Sequence, residues 1–248
     1  MSIDTATGKE APAEISSKRV KETFAQIAKN YERFNAVSSF GMYKSWLRHL
    51  VDSVEVHKDT KVVDIAGGTG DVTFAMAKRR RPQSVLCTDL VEEMLDVAKE
   101  HYKEGKAQGV EVSFGVVDAQ DMPLDDDSFD VLTVAYGIRN MPDRSKALSE
   151  MYRVLKPGGQ FACLEFSHGK SKLFGALYRF YLHHMIPFWG KLVAGQKEGF
   201  VYLSDSIEAF PNPEDFAEMI EEAGFENVAW KTYTFGIVAI HTAVKPHV

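Results

Sequence analysis

Apolar residues recur along this chain with two different periods, which predict an alternation of strands and helices. Short, nearly continuous apolar runs predict buried strands, and runs with one apolar face predict the helices between them. Because such strands need cover on both faces, the pattern predicts an α/β fold with a doubly wound, mostly parallel sheet. The predicted strands are Val62–Ala66, Val85–Thr88, Val110–Val117, Val131–Tyr136 and Phe161–Phe166, and the predicted helices are Asp71–Lys78, Glu92–Glu104 and Ser145–Leu155.

Helical segments precede and interrupt this alternation. The apolar spacing in Lys18–Tyr31 predicts one helix, and residues 18–60 are expected to form an N-terminal helical cap. Residues 168–212 are expected to form a helical insertion, in which an apolar stripe ends at Pro187 and a loop follows. Lys156–Gly159 is expected to be a sharp turn before the fifth strand.

The C-terminal part of the chain predicts one more helix and a hairpin. Pro213–Ala223 has helical spacing, and Gly224 follows it as a cap. Val228–Tyr233 and Ile237–Val244 resemble two strands joined by a short turn, which would place an antiparallel hairpin at one edge of the sheet. The prediction is therefore a seven-stranded sheet in a single domain over residues 18–248.

Composition and charge are those of an ordinary globular protein. Of the 248 residues, 45% are apolar and 26% are charged, and the net charge of −6 argues against nucleic acid as a partner. Residues 1–17 are polar and are expected to be a disordered tail. Cys87 and Cys163 lie in apolar runs and are expected to be reduced, which suits the cytoplasm. No metal site is expected, because the adjacent His183 and His184 would point apart on a helix.

The stretch Val62–Asp71 combines a strand, a glycine turn and the start of a helix, with Asp71 as the expected N-cap. Such a turn predicts a nucleotide-type binding site, in which we place Gly68 and Gly70. A dinucleotide site would need a third glycine at the position of Thr73, so the fingerprint of nicotinamide cofactors is incomplete.

Acidic residues around this turn distinguish between cofactors. Asp64 and Asp71 flank the place of a pyrophosphate and would repel it, whereas they would attract the sulfonium and ammonium of S-adenosylmethionine. Asp89 follows the second strand, nineteen residues after Gly70, at the spacing where an acid meets ribose hydroxyls. S-adenosylmethionine is therefore the expected cofactor, and a nicotinamide-dependent oxidoreductase is the alternative.

Four blocks of the sequence carry a more specific resemblance. The blocks are Tyr31–Asn35 with Ser39 and Trp46, Ala66–Asp71, Gly137–Asn140 and Arg153–Ser167. Together they resemble the menaquinone/ubiquinone biosynthesis C-methyltransferases, a family of class I S-adenosylmethionine-dependent methyltransferases with a Rossmann-like fold. The resemblance extends over residues 18 to 245.

This resemblance implies a set of cofactor contacts. By position they fall on Thr69, on Asp89 and on the pair Asp118 and Ala119, which ends the third strand where the adenine edge is expected. Taken alone, Asp118 would also suit a turn. A fourth contact in the family is usually a serine, and Ala135 stands at that position.

The resemblance also implies methyl transfer to a ring carbon of a polyprenylated quinol. The carbon becomes nucleophilic when a neighbouring hydroxyl loses its proton, so the enzyme must stabilise an oxyanion. We expect Arg139 to do so, with Asn140 holding the hydroxyl and Tyr31 closing the substrate side. Without the resemblance, Arg139 would also suit a surface ion pair. Glu165 and His168 are candidate bases, or alternatively structural anchors.

Two aromatic stretches, Phe174–Trp189 and Phe200–Phe210, would suit an apolar groove for an isoprenoid tail and would equally suit a cover for the sheet edge. With a groove there, residues 168–212 lie on the substrate side. The protein is then expected to be cytoplasmic and to contact the membrane surface peripherally.

Several alternatives for substrate and role stay open. Demethylmenaquinol is the expected acceptor, and the methoxy-benzoquinol of ubiquinone biosynthesis is the alternative. A homodimer is among the open oligomeric states. A non-catalytic quinone-binding protein is a further alternative, because Ala135 and Tyr43 depart from the residues usual in the family.

Overall fold

The computed structural model describes residues 17–168, 175, 178–194 and 198–247. The predicted tail lies outside these residues apart from Ser17, and so does Phe174, with which the first aromatic stretch begins. All the predicted strands fall within the described residues.

Seven strands form a single sheet in this part of the chain. The strands are β1 (Lys61–Ile65), β2 (Ser84–Asp89), β3 (Glu111–Val116), β4 (Phe129–Ala135), β5 (Leu155–Phe166), β6 (Glu226–Tyr233) and β7 (Val238–Val244). Their spatial order is β3-β2-β1-β4-β5-β7-β6. The first five strands pair in parallel, and β7 runs antiparallel to both β5 and β6. The mostly parallel sheet with a C-terminal antiparallel hairpin is therefore confirmed.

Helices cover both faces of the sheet. The helices are α1 (Ser17–Ile27), α2 (Tyr31–Ser38), α3 (Tyr43–Asp52), α4 (Asp71–Arg80), α5 (Glu92–Lys103), α6 (Arg144–Val154), α7 (Ile186–Ala194), α8 (Glu198–Glu208) and α9 (Pro213–Glu222). Neighbouring residues of β1 point to opposite faces. Val62 packs in one core cluster with Trp46 of α3. Val63 packs in a second cluster with Leu148 of α6 and Phe216 of α9, so the strand is buried on both sides.

The N-terminal cap differs from the single helix predicted over Lys18–Tyr31. A 3-10 turn over Ala28–Asn30 follows α1, and α2 begins at Tyr31. The break lets two neighbouring apolar residues pack in different clusters. Ile27 packs with residues of α2, whereas Ala28 packs against α5. Tertiary packing therefore outweighs the helical period at this point.

The insertion is more helical than its sequence predicts. The chain is helical from residue 178 through α7, so Pro187 does not end the helix, and α8 occupies much of the expected loop. A π-helical turn over Tyr181–Met185 gives the reason. Within it, the N–H of Ile186 donates to the carbonyl of Tyr181, five residues back. This shift of the hydrogen-bond ladder comes directly before a proline, which has no N–H to contribute.

The sharp turn expected at Lys156–Gly159 lies inside β5. The pairing register between β4 and β5 shifts between Phe129 and Val131, which marks a bulge. Gly158 has a φ of +77°, and its N–H donates to the carbonyl of Lys245 (2.8 Å) just beyond β7. The backbone bends where the sequence predicts, but pairing with the neighbouring strand keeps the segment within the sheet.

Candidate active site

A cavity lies where β1, β2 and β4 end, between these strand ends and the cap formed by α1, α2 and α3. We call it the acidic cavity, because four aspartates line it, of which Asp64 is buried and Asp71 and Asp89 are half-buried. Gly70 is not among its lining residues, although the sequence places it in the site. Its walls include Asp64, Gly68, Thr69, Asp71, Asp89, Asp118, Ala119, Ala135 and Asn140.

The glycine turn after β1 has the backbone that its sequence predicts. Gly68 and Gly70 have φ angles of +57° and +90°, which residues with side chains rarely adopt. A Cβ on Gly70 would lie 2.4 Å from the ring of Phe74, so this glycine lets α4 pack close to the turn. The N-cap residue of α4 is Gly70, and Asp71 is its first helical residue. The expected N-cap role of Asp71 is therefore wrong, because the left-handed glycine forms the helix boundary.

Asp64 is held by two threonines. The hydroxyl of Thr73 donates to Oδ2 (2.7 Å) and that of Thr133 donates to Oδ1 (2.8 Å). Burial raises the pKa of Asp64 to about 6 despite these bonds. Thr73 stands where a dinucleotide site would have its third glycine, and its hydroxyl serves the carboxylate of Asp64.

Two more carboxylates face the same cavity. Oδ2 of Asp89 accepts the N–H of Gly68, and Oδ1 accepts the N–H of Val91, both at 2.9 Å. Burial raises the pKa of Asp89 to about 6. Burial, with the nearby Glu32 as the next cause, raises the pKa of Asp71 to about 6 as well. Three aspartates whose charge is disfavoured suit a cationic ligand and oppose a pyrophosphate.

The remaining predicted cofactor residues line the same cavity. Oδ1 of Asp118 accepts the N–H of Gln120 (2.9 Å), so Asp118 forms a turn and also faces the cavity. The carbonyl of Thr69 accepts a hydrogen bond from Nδ1 of His101 (3.1 Å), which ties the turn to α5. Ala135 ends β4 and contributes a methyl group where a serine would place a hydroxyl.

A second cavity, of about 240 Å³, adjoins the first and is lined by the same cap helices, and we call it the apolar cavity. Its walls come from the cap, from the helix leading into α7 and from α8, so the insertion lines it. Five residues line both cavities and form the wall between them: Phe24, Tyr31, Asn35, Tyr43 and Tyr136. The apolar lining includes Phe24, Ile27, Phe34, Trp46, Leu182, Ile186, Leu203 and Ile207.

One buried ion pair interrupts the apolar lining. Nη1 of Arg139 donates to Oε1 of Glu165 (2.8 Å), and both side chains are only 1% exposed. The same nitrogen donates to the carbonyl of Tyr136. Glu165 also accepts the backbone N–H of Phe166 (2.8 Å). Arg139 is therefore not in a surface ion pair, and Glu165 is an anchor for it. His168 is exposed and lines neither cavity.

Asn140 and Tyr31 lie beside this pair. Nδ2 of Asn140 donates to the carbonyl of Tyr136 (3.3 Å), and Oδ1 accepts the hydroxyl of Tyr202 (3.2 Å). Burial raises the pKa of Tyr31, which lies in the shared wall. Sequence reasoning missed Tyr136 and Tyr202. Tyr136 could have been found from its place directly before the Gly137 block, whereas Tyr202 lies in a segment without a local signal.

The two adjacent histidines of the insertion have separate partners. Nε2 of His183 lies 3.0 Å from Oε1 of Glu208, and the ring of His184 stacks on Phe180. Their side chains therefore point apart, as expected for adjacent residues of a helix.

Comparison with known proteins decides the family. Residues 13–245 match the model of the ubiE/COQ5 methyltransferase family. The chain belongs to this family. It is thus a methyltransferase, and S-adenosylmethionine is its methyl donor. The acidic cavity fits that cofactor, because the sulfonium and ammonium would offset the three carboxylates whose pKa values are raised.

The similarity to individual relatives extends over nearly the whole chain. The ubiquinone/menaquinone biosynthesis C-methyltransferase UbiE of Rickettsia bellii is 39% identical over 236 residues, which cover 91% of this chain and 92% of that protein. The mitochondrial 2-methoxy-6-polyprenyl-1,4-benzoquinol methylase of Drosophila melanogaster is 38% identical over 240 residues, covering 92% and 80%. A solved structure of phosphoethanolamine N-methyltransferase 2 of Haemonchus contortus, in complex with S-adenosyl-L-methionine, has a TM-score of 0.62. It is 20% identical and covers 83% of this chain and 53% of that one, so it shows the fold alone.

Proposed function

We propose that this chain transfers the methyl group of S-adenosylmethionine to a ring carbon of a polyprenylated quinol. One observation carries the proposal: the acidic cavity and the apolar cavity share a wall. A cationic methyl donor on one side of this wall and an apolar ring on the other would be held next to each other. Methyl transfer needs this proximity, which supplies much of the rate enhancement.

The acidic cavity supplies the groups that would hold the methyl donor. We assign Asp89 to the ribose hydroxyls, and Asp118 with Ala119 to the adenine edge. Asp64 and Asp71 are assigned to the positively charged methionine end, because a cation there would offset their unfavourable burial. When bound, the cofactor supplies an electrophilic methyl group on its sulfonium. Gly68, Thr69 and the strand end at Ala135 complete the lining of the site, and Gly70 contributes by shaping the turn behind it.

Arg139 is the residue that we assign to the quinol oxygen. A fixed cation in an apolar surrounding stabilises the oxyanion that must form beside the reacting carbon. Glu165 holds Nη1 of Arg139, while Nε is buried and has no hydrogen-bond partner among the described residues. The side chain therefore keeps a donor for a ligand oxygen, directly or through a water. Asn140 would hold the hydroxyl, and Tyr31 would close the wall on the substrate side.

The apolar cavity would hold the ring and the first part of the isoprenoid tail. Side chains from α1, α2, α8 and the helix leading into α7 line this cavity together. For this reason we propose that residues 18–248 form one domain, with the cap over residues 18–60 and the insertion over residues 168–212 on the substrate side. Since a polyprenylated quinol is dissolved in a bilayer, we propose a cytoplasmic protein that contacts the membrane peripherally.

We propose demethylmenaquinol as the acceptor, and the methoxy-benzoquinol of ubiquinone biosynthesis as a second candidate. The Drosophila melanogaster relative is named for a benzoquinol, and the Rickettsia bellii relative is named for both pathways, so similarity supports either acceptor. In described residues 17–168, 175, 178–194 and 198–247, no helix combines the length and the hydropathy that crossing a bilayer requires.

Methyl-transfer assays with a short-chain demethylmenaquinol and a short-chain methoxy-benzoquinol, run in parallel, test this proposal. The wild-type protein is expected to methylate at least one of them. Arg139→Ala and Arg139→Lys are expected to bind S-adenosylhomocysteine with wild-type affinity by calorimetry, which shows that the acidic cavity is intact. Their kcat is expected to fall about 100-fold, the usual loss when one fixed donor to an oxyanion is removed.

Arg79→Ala is the matched control, because Arg79 forms an exposed ion pair with Asp52 and lines neither cavity. It is expected to keep the wild-type rate. Full activity of both Arg139 variants would remove Arg139 from the mechanism. Turnover of neither quinol by the wild-type protein would contradict the proposed acceptor class.

A further inference from the structure

Two exposed phenylalanines lie on separate loops with strained backbones. Phe40 and Phe235 are 71% and 76% exposed, the highest values for large apolar side chains among the described residues. Their φ angles are +50° and +56°, in the left-handed region that bulky residues rarely adopt. The ring centroid of Phe40 lies 6.3 Å from that of Tyr181, but most of the surface of both phenylalanines faces solvent, and a left-handed backbone costs energy. Two such positions therefore point to a function of the surface rather than to stability of the fold.

The first loop lines the apolar cavity at its exposed end, and the second loop is hydrogen-bonded to a residue of the cavity wall. Phe40 and Met42, between α2 and α3, line the cavity and are also exposed. Phe235 lies in the turn between β6 and β7, next to Thr234, whose hydroxyl accepts a hydrogen bond from Nε1 of Trp46 (2.8 Å). Trp46 lines the same cavity from α3. We call Phe40, Met42 and Phe235 the aromatic rim.

Cations accompany the rim, although the chain as a whole has a net charge of −6. Lys44 and Arg48 are exposed on α3, within two turns of Phe40, and Lys231 is exposed on β6, four residues before Phe235. The acidic residue of α3, Asp52, lies at its far end and is paired with Arg79. Exposed apolar side chains beside exposed cations are typical of proteins that bind the surface of an anionic bilayer.

We propose that the aromatic rim inserts into the surface of a bilayer that contains anionic lipid, so that the mouth of the apolar cavity opens into its apolar layer. This inference rests on the proposed function, because a polyprenylated quinol would enter the cavity from that layer. It also names a different surface from the exposed part of α7, where Phe188 and Leu192 are 54% and 66% exposed.

Vesicle binding tests the proposal directly. The full chain is mixed with vesicles of phosphatidylcholine, alone or with phosphatidylglycerol, and the bound fraction is measured by sedimentation. The wild-type protein is expected to bind the mixed vesicles more strongly. The double variant Phe40→Asn with Phe235→Asn is expected to lower the partition coefficient about tenfold or more, because each ring loses its burial in the bilayer. Asparagine tolerates a positive φ, so this variant is expected to fold.

The matched control is the double variant Phe188→Gln with Leu192→Gln on α7, which removes a comparable exposed apolar surface. It is expected to bind vesicles like the wild-type protein. If the control loses vesicle binding and the rim variant keeps it, the rim assignment is wrong. If the wild-type protein is a dimer that the rim variant dissociates, the rim is an interface between copies and the proposal is overturned.

An activity assay separates this inference from the proposed function. Phe235 lines neither cavity, so Phe235→Asn is expected to methylate a short-chain quinol in detergent at the wild-type rate. With a long-chain quinol embedded in mixed vesicles, its rate is expected to fall by the same factor as its partition coefficient. If the wild-type protein turns over the quinol in detergent but binds no vesicles, the proposal for the aromatic rim is overturned and the proposed function stands. Vesicle binding without turnover of either quinol would overturn the proposed function alone.

Discussion

The acidic cavity and the apolar cavity share one wall, but they are built in different ways. The acidic cavity is formed by loops at the ends of neighbouring strands, and its carboxylates are held by backbone N–H groups and hydroxyls. The apolar cavity is formed by helices from the two additions to the sheet, and one ion pair, Arg139 with Glu165, is buried in its wall. The strand ends thus supply polar groups, and the helices supply apolar surface.

This difference shows how charge is used on each side of the wall. In the acidic cavity, burial raises the pKa values of Asp64, Asp71 and Asp89, so the carboxylates lack a sufficient counter-charge. In the apolar cavity, Arg139 and Glu165 neutralise each other at 2.8 Å. A ligand is therefore expected to supply the missing counter-charge in the acidic cavity. In the apolar cavity the ion pair fixes the side chain of Arg139, and its Nε–H is left as a donor for a ligand oxygen.

The largest expected effect comes from breaking the buried pair. Glu165→Gln would leave the charge of Arg139 buried without a counter-ion, and we expect it to lower the free energy of unfolding by about 3–5 kcal/mol. Urea denaturation measures this loss. Asp52→Asn, at the exposed ion pair with Arg79, is the control and should cost less than about 1 kcal/mol. Equal losses in the two variants would contradict the view that the pair is a buried anchor.

A substitution at Asp89 tests whether the carboxylates of the acidic cavity hold the cofactor. Its two oxygens accept N–H groups from Gly68 and Val91, and asparagine has only one oxygen for this purpose. We expect Asp89→Asn to weaken binding of S-adenosylhomocysteine about 10- to 100-fold, because a charged hydrogen bond and the fixed turn are both lost. Calorimetry measures the affinity. Asp96→Asn on the exposed side of α5 is the control and should bind normally.

Cofactor binding should depend on pH, because the carboxylates with raised pKa values lie in the acidic cavity. Carboxylates with a pKa of about 6 are largely protonated at pH 5, and a cationic ligand binds their ionised form better. The affinity for S-adenosylmethionine, which carries the sulfonium, should therefore rise about tenfold between pH 5 and pH 7, the change expected for one coupled carboxylate. Titrations at several pH values measure this rise, and an unchanged affinity would contradict it.

The same carboxylates make the stability of the ligand-free protein depend on pH in the opposite direction. Their pKa in the folded protein lies above the ordinary value of 3.8, so the folded protein binds more protons than the unfolded chain between these values. Their stabilising contribution is present below pH 3.8 and is lost as the pH rises through about 6. Because S-adenosylmethionine should bind the ionised carboxylates more tightly, the stabilisation that it gives should be larger at pH 7 than at pH 5, and thermal denaturation with and without this cofactor measures the difference.

The two cavities also differ in how far the sequence could predict them. The polar side of the acidic cavity comes from segments that each contain a strand end and its polar residues, such as Val62–Asp71, so local pattern and spacing were sufficient to predict that side. The sheet was predictable for the same reason, since its strands are nearly continuous apolar runs. Asp71 shows the limit, because only the left-handed conformation of Gly70 decides which residue is the N-cap.

The apolar cavity could be predicted only in outline. Its walls join residues far apart in the chain, and helical period alone cannot decide which face of each helix packs inward. The π turn before Pro187 and the helix α8 follow from tertiary packing rather than from local signals. Arg139 and Glu165 are 26 residues apart, and their pairing depends on how β4 and β5 align. From the sequence pattern alone, a surface ion pair was therefore an open alternative to a role of Arg139 in the site.

The smallest expected effect concerns the end of β4. Ala135 lines the acidic cavity where relatives of this family usually have a serine, so Ala135→Ser would add one hydroxyl beside the cofactor site. One added hydrogen bond contributes about 0.5–1.5 kcal/mol, which corresponds to a gain in affinity for S-adenosylhomocysteine of about 2- to 10-fold. Calorimetry measures the gain, and Ala135→Val, which adds volume without a hydroxyl, is the control. Weaker binding by both variants would show that the wall at Ala135 has no room for a larger side chain. Stronger binding by the serine variant alone would show that this part of the acidic cavity has a place for a hydroxyl that can bond to the cofactor.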